Sequence, residues 1–119
     1  MTRDSIPHLI EDELSSFSIE EGKPVISNVF QSLAPLIVDI YQSYVDKDGL
    51  SKKISMLIES YRKTLEGAEQ HLIPIHLFSL LVFDRLEKEA VDCNDFQLQQ
   101  IWSDIAKKII DIGLKVNNA

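Results

Sequence analysis

Pro74-Ile75-His76-Leu77-Phe78-Ser79-Leu80-Leu81-Val82-Phe83-Asp84-Arg85-Leu86-Glu87-Lys88-Glu89-Ala90-Val91 is the stretch whose reading decides the fold. Pro74 suits a first helical turn, where a missing N–H costs little. From Ile75 to Phe83 the segment is apolar nearly all round, and a helix of that kind normally lies at the centre of a bundle. From Asp84 it turns amphipathic, with Leu86, Ala90 and Val91 inward and Arg85, Glu87, Lys88 and Glu89 outward.

The segments on either side repeat the helical period. Upstream, Ile54, Leu57, Ile58, Tyr61 and Leu65 form a stripe that Ser51 can cap and Gly67 ends. Before it, Ile26, Val29, Phe30, Leu33, Ile37, Ile40, Tyr41 and Tyr44 form a longer stripe, closed by the turn Asp46-Lys47-Asp48-Gly49. The stripe keeps phase across Pro35, which predicts a kink rather than two helices. The first helix carries Ile6, Leu9, Ile10, Leu14 and Phe17, with Ser5 as its cap, and Gly22-Lys23-Pro24 separates it from the second. Downstream, Asn94 or Asp95 caps a fifth helix bearing Phe96, Leu98, Ile101, Trp102, Ile105, Ile109, Ile110 and Leu114. Glu59–Lys63, Asp104–Lys108 and Asp111–Lys115 have the favourable four-residue spacing for helical ion pairs. No segment alternates like a strand, and connections are short. The expectation is one all-α domain over residues 1–119: an antiparallel bundle of about five helices, with the apolar helix 74–91 central. Residues 1–23 form an acidic helix and turn that either packs across the bundle or swings free as an arm.

Composition narrows the function. With 45% hydrophobic and 26% charged residues the chain is globular, and 119 residues suffice for a core without disulfides or metal. Nineteen acidic residues against twelve Lys and Arg give a net charge of −7, which disfavours phosphate backbones and anionic membranes. The one basic cluster, Lys52, Lys53, Arg62 and Lys63, is interrupted by Glu59 and reads as a solvated helix face. A single cysteine, Cys93, excludes an intrachain disulfide and points to a cytoplasmic setting. The N-terminus lacks the apolar run of a signal peptide. The longest apolar stretch, Leu72 to Phe83, falls short of the ~20 residues of a spanning helix.

Little in the chain supports catalysis. Glu66-x-x-Glu69 followed by Glu89-x-x-Asp92 resembles the paired-carboxylate pattern of the all-helical nucleotide pyrophosphatases, which implies a magnesium site for metal-dependent hydrolysis. Helix geometry opposes it, because the two pairs would lie roughly 22 Å apart along a hairpin at ~1.5 Å per residue. Asp46 to Ser51 lacks the carboxylates a calcium loop needs at both ends. His71 and His76 do not share a helix face, and His76 reads as a hydrogen-bonded core histidine. His8 reads as exposed. Cys93, with Asp95 two positions on, lacks the electropositive setting of a nucleophile. No cofactor and no enzymatic activity are expected.

What remains is binding. In size and helicity the chain is similar to the small bacterial immunity proteins, helical bundles that neutralise a toxin, though only at the level of fold. The expectation is a non-catalytic interaction module: an inhibitor, immunity-type protein, adaptor or small regulatory subunit. Glu11, Asp12, Glu13, Glu20 and Glu21 would steer a basic protein partner, with Tyr41, Tyr44 and Trp102 as anchors wherever they remain exposed. Self-association through the apolar helices is a further expectation.

Overall fold

Glycines, prolines and Asp/Asn turns cut the chain much as the sequence implies. A computed structural model describes residues 1–17 and 22–117. Its helices are α1 (Ser5–Ser16), α2 (Lys23–Asp46), α3 (Leu50–Glu66), α4 (Leu72–Asp92) and α5 (Phe96–Asn117), with a single 3-10 turn, Glu69–His71, leading into α4. No strand occurs among the described residues. Two N-termini differ from expectation. Ser5 is the first residue of α1 rather than its cap, and its hydroxyl donates to the Thr2 carbonyl at 2.6 Å. Gly49, in the left-handed region at φ 70°, takes the cap position of α3 that Ser51 was expected to hold. Asp95 does cap α5: its Oδ1 accepts the Leu98 N–H at 3.1 Å.

Pro35 leaves α2 as one unbroken helix. The proline is exposed, as is Gln31, so water can satisfy the carbonyl that loses its partner. By length and composition α2 is the one described helix able to cross a membrane. In the bundle, Ile26, Phe30, Leu33, Ile37 and Ile40 are instead consumed by the core, and Asn28, Gln31, Ser32 and Asp46 face outward.

α4 touches all four other helices, most extensively α5, while α2 pairs with α3 and α1 lies against α2 and α4. Phe78 shows why α4 is the hub: its ring meets Phe30 of α2 at 4.9 Å and Phe17, just past α1, at 5.4 Å, both edge-on. Further along, Phe83 lies 6.1 Å from Trp102 of α5. α4 is therefore central, yet it is not enclosed. Ile75, Phe78, Val82, Phe83, Leu86 and Ala90 are buried, whereas Ile73, Leu77 and Leu81 are exposed. The apolar stretch outruns the neighbours available to cover it.

Candidate interaction surface

The acidic first helix is only partly free to steer a partner. Glu11 and Asp12 are exposed, but Glu13 is occupied: Arg85 of α4 bonds it at 3.1 Å and Glu89 at 3.2 Å. Those hydrogen bonds, first to Glu89 and then to Glu13, raise the Arg85 pKa. They also tie α1 to α4. Glu20 and Glu21 lie outside the described residues.

The expected aromatic anchors serve the fold. The Tyr41 hydroxyl donates to the Met1 carbonyl at 2.8 Å, and partial burial raises its pKa, with the charges of Asp95 and Cys93 adding to it. The Tyr44 hydroxyl donates to Asp95 Oδ1 at 2.6 Å, the same oxygen that caps α5. This bond, then desolvation, pushes the Tyr44 pKa up to about 12. Both tyrosines stay half-buried. Trp102 is fully buried, so it presents nothing to a partner; its stripe faces α4, and its Nε1 has no hydrogen-bond partner.

Of the four carboxylates of the hydrolase reading, Glu66 is not brought to Glu89 or Asp92. Glu66 accepts from Arg62 at 2.8 Å on α3, whereas Glu89 is held by Arg85 far along α4. Asp92 stands exposed at the end of α4, and the side chain of Glu69 lies outside the described residues. No group of three or more His, Cys, Asp or Glu side chains among the described residues could hold a metal ion. The basic cluster is partly neutralised, with Arg62 bonded to both Glu59 and Glu66 and Lys63 4.0 Å from Glu59. Asp104 accepts from Gln100 at 2.9 Å, one turn earlier. His8 and the free thiol of Cys93 are exposed. An open groove of ≈720 Å³ beside the α2–α3 turn is lined by Tyr44, Lys47, Asp48, Ser51, Lys52 and Gln97, among others.

His76 is a structural histidine. Its Nδ1 lies 2.8 Å from the Tyr61 hydroxyl, and burial lowers its pKa, consistent with a neutral ring accepting that proton. Burial also raises the Tyr61 pKa. The imidazole packs onto the backbone of α5 at Gly113, where an added Cβ would stand 2.3 Å from Cε1. Gly113 gave no signal in the sequence beyond being a glycine inside a helical stripe, the one cue for such close approach.

The surface that stands out is one the sequence concealed. Among the described residues nine large hydrophobic side chains are exposed, and seven belong to two helices: Ile73, Leu77, Leu81 and Val91 on α4, and Phe96, Ile110 and Leu114 on α5. The α4 residues recur at four- and three-residue spacings, with Asp84 and Lys88 continuing the row, so they share one face. On α5, Ser103, Lys107, Ile110 and Leu114 do the same. The His76–Gly113 contact at one end and the Phe83–Trp102 contact further along set the two helices antiparallel. At this register Leu77 is level with Ile110, Ile73 with Leu114, and Val91 with Phe96. Towards the second end, Asp84, Lys88, Val91 and Gln99 line one shallow groove of ≈240 Å³, which places both rows on the same side of the hairpin. Compared with protein families, curated proteins and solved structures, the chain matches none.

Proposed function

We propose that this chain is a non-catalytic protein-interaction module whose binding surface is the outer face of the α4–α5 hairpin. The observation that carries this is the gathering on that face of seven of the nine large hydrophobics exposed among the described residues. Their exposures sum to between three and four whole side chains, or roughly 600 Å² at the size of a large apolar residue. The seven fall in two clusters separated by Asp84, Lys88 and Lys107, and the larger, Ile73, Leu77, Leu81, Ile110 and Leu114, is on the order of 400 Å², a size at which an apolar patch often marks a binding site. The face also suits a rigid docking partner, since α4 and α5 make the most extensive helix–helix contact of the bundle. An inhibitor, adaptor or small regulatory subunit acts in this way, by occupying a partner's surface.

The acidic first helix plays the lesser part in this reading, with Glu11 and Asp12 left to bias encounter toward a basic partner. The hydrolase alternative draws no support from the carboxylate positions. Affinity capture with the wild type and with Leu77→Lys/Leu114→Lys tests the proposal. A stoichiometric partner, whether another protein or untagged copies of the chain, should be captured by the wild type. It should be lost from the double variant while the variant's thermal melt is unchanged. A partner retained by the variant, or magnesium-dependent nucleotide hydrolysis by the pure protein, would overturn it.

A further inference from the structure

We draw no further inference here: the strongest candidate, the apolar block of Ile73, Leu77, Leu81, Ile110 and Leu114 on the outer face of the α4–α5 hairpin, belongs to the surface already described, and nothing in the structure shows what covers it.

Discussion

Replacing Gly113 with alanine tests the packing of α4 on α5 through a single methyl group. In a helix interior this change ordinarily stabilises, by ~1 kcal/mol of propensity. Here the new Cβ would lie 2.3 Å from His76 Cε1, 2.4 Å from Nε2 and 2.7 Å from Nδ1. The ring cannot simply swing aside, because its Nδ1 is bonded to Tyr61, whose side chain is buried. Overpacking of this kind costs roughly 1–3 kcal/mol, and displacing the ring forfeits a hydrogen bond worth about 0.5–1.5 kcal/mol. Set against the propensity gain, the net loss is about 1–3 kcal/mol. For a chain of 119 residues, unfolding entropy converts each kcal/mol into about 4 °C, so the midpoint should fall by roughly 4–12 °C. The assay is thermal unfolding followed by circular dichroism, with a double-mutant cycle against His76→Ala. Removing the ring first makes room for the methyl group, so Gly113→Ala should then be neutral or stabilising. A single variant melting at or above the wild-type temperature would refute the reasoning.

Three further outcomes follow from the same contacts. Burial lowers the His76 pKa, so the unfolded chain binds that proton first. Stability should be level above about pH 6.5 and decline as pH drops below it; His76→Gln should flatten the decline in denaturant titrations at pH 7.5 and 5.5. The raised Tyr44 pKa, about 12, has the opposite sense: stability is full below pH ~10 and is lost as pH rises through the folded value. Asp95→Ala should lower that pKa in an ultraviolet phenolate titration and destabilise the fold by about 1 kcal/mol through loss of the α5 cap. Trp102→Ala should cost about 3–5 kcal/mol in urea unfolding, since it empties the site against Phe83. A loss under 1 kcal/mol would mean the indole is not buried as described.

The helices were legible in the sequence because their stripes are long and their breaks are chemically plain. Gly22, Gly67, Asp46–Gly49 and Asn94–Asp95 all fall at helix ends. Ser5 and Ser51 misled because a serine near a helix start can cap it or sit inside it, and Gly49 in the left-handed region settled the second case. The acidic residues and tyrosines were poorer guides to a site. Glu13, Tyr41 and Tyr44 have partners many residues away, which no local pattern encodes. The exposed face was hidden for a different reason. A segment apolar on all sides gives no polar side to mark which residues look outward, so Leu77 and Phe78 read alike until the neighbours of α4 are in place. Only then does Phe78 fall among Phe17 and Phe30 and Leu77 into water.

The extensive contact between α4 and α5 has a consequence for the energetics of any association on their outer face. Both helices carry buried side chains along most of their length, so their backbone is ordered before a partner arrives. Little conformational entropy remains to be lost at docking, and the chain need not remodel to bind. Calorimetry should therefore give a heat-capacity change set by the apolar surface alone, negative and modest, without the much larger signature of folding coupled to binding. The association rate should be that of two rigid bodies finding a matching orientation, leaving dissociation to carry most of the effect of substitutions in the face.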